Sequence, residues 1–383
     1  VTMDLVADGY TADIPAAENI PAVDRSCMDG YAVRAADTFG AGEGNPAYVE
    51  LARSAAIDEI VSHPLAPGEC MGIATGGTLP PGADAVIMVE HTQMLGETTV
   101  EIRRSVTPGE NVMLAGEDVA EGDVALPAGR RLRPQDVGLL AALGRTSLHV
   151  VRRPRCGIVS TGDELVPVEA APRPGQVRDV NSHTLACLAR QAGAIVTRHG
   201  LVPDEREALR RALDESLAAN DAVFISGGSS IGTRDLTIEV LESFGDAEIL
   251  AHGVSLSPGK PTILARVGGK PVLGLPGQVT SAQVVMLVFG QPLLRHLGGE
   301  RGAFDASGRV LRRAVLGSNL SSKPGRVDYV RVRLEERDGR LATMPRLGKS
   351  GLLRTMLDAD GLLRIDASLE GLTAGRDVDV WIF

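Results

Sequence analysis

Glu164 and Asp235 stand on glycine-flanked segments from which a carboxylate could meet an anion through a divalent cation. Glu164 lies in Ser160-Thr-Gly-Asp-Glu-Leu, and Asp235 ends Ser226-Gly-Gly-Ser-Ser-Ile-Gly-Thr-Arg-Asp. Asp29, in Ser26-Cys-Met-Asp-Gly-Tyr, and Asp118, in Gly116-Glu-Asp, share the pattern of an acid beside a turn glycine. Each has a plainer reading. Asp163 suits a turn in which it bonds its own backbone, Asp29-Gly30 is an ordinary turn pair, and Asp235 equally suits the first turn of a helix, where the dipole favours an acid. Asp204, followed by Glu205-Arg-Glu207, fits the D-x-x-E capping box and is read as a cap.

Glycine allows a backbone to approach a phosphate closely, and free N–H groups at a helix start can hold it. Ser226-Gly-Gly-Ser is one such stretch. Ser257-Pro-Gly-Lys260-Pro-Thr and Gly274-Leu-Pro-Gly277-Gln are two more, both stiffened by proline. Gly259-Lys260-Pro261-Thr262 is not a Walker loop, because Gly253 stands one residue too far upstream and Pro261 has no amide donor. If the acids converge, a hard ion such as Mg²⁺ suits them, since it takes oxygen ligands and keeps several waters. The seven histidines are scattered singly and offer no rival cluster.

Loops of this kind need strands behind them. From Arg155 onward, the apolar runs Cys156–Val159, Ala222–Ile225 and Val272–Leu275 alternate with helical periodicity, which predicts a parallel α/β unit with its ligands at the carboxyl ends of the strands. Beyond Asp204, Ala208, Leu209, Ala212, Leu213 and Leu217 form one helical stripe. Ser281–Leu297 reads as a buried helix, too interrupted by polar residues to span a membrane. Residues up to Gly116 have the turn-rich texture of a small β domain, and Pro134–Gly144 reads as a short helix with proline in its first turn and glycine past its end. After Gly299 the helical signal disappears. Asp328–Met344 then predicts a hairpin turning at Asp338-Gly339, within a terminal β domain.

A chain of 383 residues exceeds one typical domain and predicts several. Its net charge of -10 and 3% aromatic content argue against nucleic acid, which is bound through basic and stacking side chains. Cys27, Cys70, Cys156 and Cys187 show no metal-ligand spacing and are read as reduced core residues of a cytoplasmic protein without signal peptide or membrane segment.

Taken in order, Ser26-Cys-Met-Asp-Gly-Tyr-Ala, Thr75-Gly-Gly-Thr-Leu-Pro-Pro-Gly-Ala-Asp-Ala-Val, Gly116-Glu-Asp, Ser160-Thr-Gly-Asp-Glu-Leu, Asp179-Val-Asn, Ser226-Gly-Gly, Pro258-Gly-Lys-Pro, Gly274-Leu-Pro-Gly and Gly325-Arg-Val-Asp-Tyr-Val-Arg cover nearly the whole chain. Together they resemble the molybdopterin molybdenumtransferases, the family that includes bacterial MoeA and the E domain of gephyrin. The resemblance implies an elongated multidomain α/β and β chain. Its parts would be a linking domain (1–26 and 116–153), an inserted β-rich domain (27–115), a central MogA-like molybdopterin-binding domain (154–300) and a small C-terminal β-barrel (301–383).

It also implies Mg²⁺-dependent insertion of molybdate into adenylylated molybdopterin with release of AMP. The enzyme would be a homodimer, its active site formed between the α/β domain of one subunit and the first region of the other. A molybdopterin adenylyltransferase and recipient molybdoenzymes would be its protein partners. Carried over residue by residue, Asp29, Asp118, Glu164 and Asp235 are the functional acids, with Glu164 and Asp235 on the metal. Thr75, Gly76, Ser226, Gly227, Gly228, Ser229, Pro258, Gly259, Lys260, Pro261, Pro276, Gly277, Arg331 and Ser350 are the implied pterin and nucleotide contacts.

Three departures bear on anion binding. Ser257 occupies a position where the family commonly has a basic residue, Gln278-Val-Thr-Ser281 replaces Asn-Pro-Val-Ser, and Met113-Leu-Ala115 lacks the usual arginine. They leave a second reading beside the enzyme, that of a weak or inactive relative delivering cofactor as a chaperone.

Overall fold

In the computed structural model, residues 13–227, 231–305, 309–337 and 339–383 are described, the side chains of 231–235 excepted. The described residues divide into two compact units, one comprising 13–128 and Leu132–His149, the other Gly129–Arg131 and the residues from Val150 to Phe383.

The first unit is built on a six-stranded sheet. Its strands are β1 (Gly30–Val33), β2 (Ala47–Ser54), β3 (Glu69–Ile73), β4 (Ala85–Met88), β5 (Thr92–Leu95) and β6 (Thr99–Ile102), in the order β4-β1-β3-β2-β6-β5. The strands are short because each needs only a few alternating residues to cover two faces. Val33, Cys70, Ile87 and Val100 pack on one side, while Ala32, Met71, Ile73 and Val86 pack on the other. Helix α1 (Pro134–Ala142) follows, with Pro134 in its first turn and Gly144 at φ +63° just past its end, as the sequence predicts.

The second unit carries a six-stranded sheet of β7 (Arg155–Thr161), β8 (Ile195–Val202), β9 (Ala222–Gly227), β10 (Glu248–His252), β11 (Ile263–Val267) and β12 (Lys270–Leu275), ordered β8-β7-β9-β12-β11-β10. It is parallel except at β11, which pairs antiparallel with both neighbours. Helices α2 (Asn181–Gln191), α3 (Arg206–Ala219) and α4 (Ile231–Glu242) connect its strands. Successive strand residues face opposite cores. Cys156, Ile158 and Phe224 pack with Leu185 and Ala189 of α2, whereas Val159, Val223 and Ile225 pack with Leu209 and Leu213 of α3. Burial on both faces is why these strands read as unbroken apolar runs.

The predicted buried helix is α5 (Val279–Val285), a π turn over Met286–Gly290 and α6 (Gln291–Leu297). Pro292 lacks the N–H that Val288 O would need, so the regular ladder is broken there. Among the described residues, no helix is long and apolar enough to cross a membrane.

The chain ends in a closed barrel. Strands β13 (Leu311–Leu316), β14 (Val327–Arg337), β15 (Arg340–Pro345), β16 (Gly361–Ile365) and β17 (Asp377–Ile382) form the ring β13-β15-β14-β16-β17, which closes from β17 back to β13. The predicted hairpin is β14–β15, with Arg337 opposite Arg340; Asp338 lies outside the described residues. One helical turn, Arg354–Leu357, interrupts the expected all-β stretch, too short for a periodicity to register. The barrel shares a core with the sheet, since Tyr329, Met356 and Leu362 cluster with Phe224, Val285 and Met286.

The cysteines correct one expectation. Cys70 and Cys156 are buried, but Cys27 is half-buried and Cys187 is exposed on α2.

Candidate active site

Parallel pairing of β7 with β9 sets Ser160 opposite Ser226 and Thr161 opposite Gly227, so the loops after both strands start side by side. The chain leaves β7 toward β8 on one flank and leaves β9 toward the other, which makes this the reversal point where open α/β sheets take ligands. Gly227 is required by that closeness, because a Cβ there would collide with the Thr161 carbonyl oxygen.

A cleft of about 270 Å³ opens at this place. Thr161, Ser226, Gly227 and Asn181 line it, together with Glu164, Asp179, Gly277 and Gln278, while the barrel contributes Gly351. Asn181, at the start of α2, cross-braces it: its Nδ2 donates to Ser226 Oγ at 2.8 Å and to the Gly277 carbonyl at 2.9 Å. Asp179 accepts the Ser182 N–H at 3.0 Å and fixes the helix start.

Two turn readings are corrected here. Asp163 accepts the distant N–H of Asp204. Asp204 itself does not cap α3, whose N-cap is Glu205 without a side-chain bond; it accepts the Thr161 hydroxyl at 2.5 Å instead. Tying β7 to the β8–α3 loop places Asp204 at the edge of the acid-bearing loop. Sequence distance hid this pairing.

A second cleft, of about 610 Å³, lies between Ser257–Pro261 and the barrel segment Lys323–Arg326, with Pro276, Gln278 and Ser350 along it. It is lined by three basic residues, Lys260, Lys323 and Arg326, though Arg326 is paired with Asp328 at 2.9 Å. Gly259 there has φ +129°, and a Cβ would come within 2.6 Å of Val285 and 2.7 Å of Leu256, so this glycine is required by packing against α5. Gln278 belongs to both clefts.

Arg331 stands behind this wall. It is 7% exposed and donates to the Thr280 hydroxyl and to the Gly348 carbonyl, both at 2.9 Å. Thr280 in turn donates its N–H and hydroxyl to the Ser350 carbonyl, at 3.0 and 2.8 Å. Burial pushes the Arg331 guanidinium down from its ordinary value.

In the first unit, Asp29 accepts the Thr75 N–H at 2.6 Å and its hydroxyl at 2.9 Å, which holds the Asp29 carboxyl below the usual carboxylate range. Gly76, at φ +83°, donates to the Ser26 carbonyl, and Arg25 pairs with Met113 in a short ribbon leading to Gly116 and Asp118. The segments carrying Asp29, Thr75 and Asp118 are thus neighbours, with Asp118 exposed.

Apart from the buried Arg331, the described site residues therefore fall in three places. Glu164, Ser226, Gly227 and Gly277 share the first cleft; Pro258 to Pro261, Pro276 and Ser350 line the second; Asp29, Thr75, Gly76 and Asp118 lie in the first unit. Gly228, Ser229 and the Asp235 side chain are outside the described residues, and Asp235 is located only as part of α4. Sequence reading missed the placing of Asn181, Gln278, Lys323 and Arg326. A polar residue opening a helix directly after a strand-end loop is the signal that could have found Asn181.

Comparison with known proteins decides the family. The profile "MoeA N-terminal region (domain I and II)" matches residues 4–144, "Probable molybdopterin binding domain" matches 157–296, and "MoeA C-terminal region (domain IV)" matches 313–383. Molybdopterin molybdenumtransferase 2 of Mycobacterium tuberculosis is 35% identical over 96% of this chain and 91% of its own. The chain belongs to the molybdopterin molybdenumtransferase family. The Bacillus subtilis molybdopterin molybdenumtransferase is 32% identical over 96% of this chain and 85% of its own. The crystal structure of the molybdopterin biosynthesis MoeA protein of Pyrococcus horikoshii OT3 superposes with a TM-score of 0.83 at 28% identity, covering 99% and 93% of the two chains. Membership of this transferase family makes the chain an enzyme of molybdenum cofactor biosynthesis, with the MoeA-like arrangement of β-rich region, α/β domain and barrel.

Proposed function

We propose that the cleft at the ends of β7, β9 and β12 receives adenylylated molybdopterin, and that the enzyme inserts molybdate into it in the presence of Mg²⁺ and releases AMP. The observation that carries this reading is the convergence of Glu164, Ser226 and Gly277, from three strand ends, on one cleft.

The donor set fits a hard cation. Among the described residues, no three acids, histidines or cysteines are grouped to hold a metal ion. Mg²⁺ needs only one or two carboxylates when substrate phosphates and water complete its shell. Glu164, exposed at the cleft, and Asp235, on the helix after β9, would be those carboxylates. When bound, the ion would neutralise phosphate charge. The protein's own part is positioning: the close-set backbone at Gly227 and Gly277 lines the cleft for the phosphates, and Lys260 and Lys323 bring positive charge to the neighbouring cleft for an oxyanion. Thiolates that capture molybdenum belong to the substrate. Asp29 and Asp118 complete the set of functional acids, and the working form is a cytoplasmic homodimer exchanging substrate and product with an adenylyltransferase and recipient molybdoenzymes.

Mixing the protein with adenylylated molybdopterin, molybdate and Mg²⁺ tests the reading through release of AMP. Ser257, which leaves the second cleft one basic residue short of the family pattern, favours one alternative, a cofactor-delivering relative. Tight binding of the pterin nucleotide with no AMP formed would establish that alternative and end the enzymatic reading.

A further inference from the structure

Asn181 has no role in the site described so far beyond joining two loops, yet its bonding is unusual. Both hydrogens of its amide are spent, one on Ser226 Oγ and one on the Gly277 carbonyl. Because Gly277 O can only accept, the side chain's orientation is fixed, with nitrogen toward the loops and Oδ1 away. Among the described residues Oδ1 has no partner, and it is shut off from solvent, in a residue only 8% exposed. An unpaired buried acceptor is costly, and in a native protein it marks a place where the side chain's other bonds serve some purpose.

The purpose follows from Ser226. A hydroxyl has one hydrogen to give and two lone pairs. Asn181 occupies one lone pair, so the Ser226 O–H must point elsewhere, and among the described residues nothing accepts it. Ser226 lines the cleft at the end of β9, next to Gly227, whose missing Cβ keeps the strand ends close. We propose that Asn181 is a positioning residue: it accepts nothing from the substrate itself, but turns the Ser226 hydroxyl into a donor aimed at a phosphate oxygen of the pterin nucleotide and pins the Gly277 peptide beside it. This rests on the reading of the cleft as the nucleotide site. A phosphate offers acceptors only, so a donor already oriented before binding needs no reorganisation when the anion arrives.

A double-mutant cycle in the AMP-release assay tests this. Ser226→Ala is expected to lower kcat/KM about 100-fold, the scale of losing one oriented donor. Asn181→Ala is expected to lower it about 10- to 100-fold, since the hydroxyl loses its direction. The two together should do no more than Ser226→Ala alone, with kcat and KM both staying where that first change put them. Asn181→Asp, nearly isosteric but without the donors when ionised, serves if the alanine variant folds poorly, and thermal unfolding monitors both. Multiplied losses in the double variant would overturn the positioning role, as would full activity of Asn181→Asp. Full activity of Ser226→Ala would overturn the reading of the cleft itself, a different result from either.

Discussion

The carboxylate of Asp29 accepts two hydrogen bonds from one residue, the backbone N–H and the hydroxyl of Thr75, 46 positions further along the chain. Both bonds favour the charged form, the backbone one most, and hold the acid below its ordinary range. A folded-state value lower than the unfolded one contributes stability above the unfolded pKa of about 3.9, lost as pH falls through the folded value. Carboxyl titration followed by ¹³C NMR should find Asp29 titrating below 3.9. Thr75→Val removes the hydroxyl and keeps the N–H, and should move that titration partway back upward; an unmoved curve would show the hydroxyl to be idle.

Glu164 is exposed, so Glu164→Gln should leave the fold intact while AMP release drops by about two to three orders of magnitude, the scale of a lost electrostatic contact in a reacting site. Asp235→Ala should abolish turnover with an unchanged circular dichroism spectrum. Unaltered AMP release by either variant removes that acid from the mechanism.

Gly259→Ala would force a methyl group against Val285 and Leu256 at a φ of +129° that side chains avoid. Overpacking of this kind costs about 1–3 kcal/mol, and the strained backbone adds to it. Urea unfolding should show the midpoint displaced downward with an unchanged slope, the shift multiplied by the slope giving that amount; a variant as stable as the parent would mean that α5 gives way freely.

Burial pushes the thiols of Cys70 and Cys156 up to about 12, so neither offers thiolate at neutral pH. Cys187 is exposed. A chromogenic disulfide reagent should therefore modify Cys187 promptly and reach Cys70 and Cys156 only after denaturation, as mass spectrometry of the labelled peptides would show.

How much of this was legible beforehand depends on whether the information is local. The strands from Arg155, Ala222 and Lys270 were readable because burial on both faces leaves runs such as Ala-Val-Phe-Ile, and the helix from Arg206 because Leu209, Leu213 and Leu217 recur every turn. The glycines at 227 and 259 were visible as special, though for a close approach of protein to protein rather than to ligand alone. Asp204 was misread as a cap because its partner, Thr161, is 43 residues away. Asn181 was read as the end of the Asp179-Val-Asn segment but without its bonds to Ser226 and Gly277, which span 45 and 96 positions. The strand pair between the two proline-glycine turns was legible, but not the antiparallel direction of β11, although Gly268-Gly269 between β11 and β12 is a hairpin signal.

The Thr280–Ser350 link and the apolar cluster joining Tyr329, Met356 and Leu362 to Phe224 have a consequence for dissecting the protein. A fragment cut after Leu297 would expose Val285 and Met286 to water and leave the Thr280 amide hydrogen without its acceptor. The α/β part is therefore no detachable cassette; exchanging barrels between relatives should succeed only when Arg331, Gly348 and Ser350 travel together with their counterparts on the helix they grip.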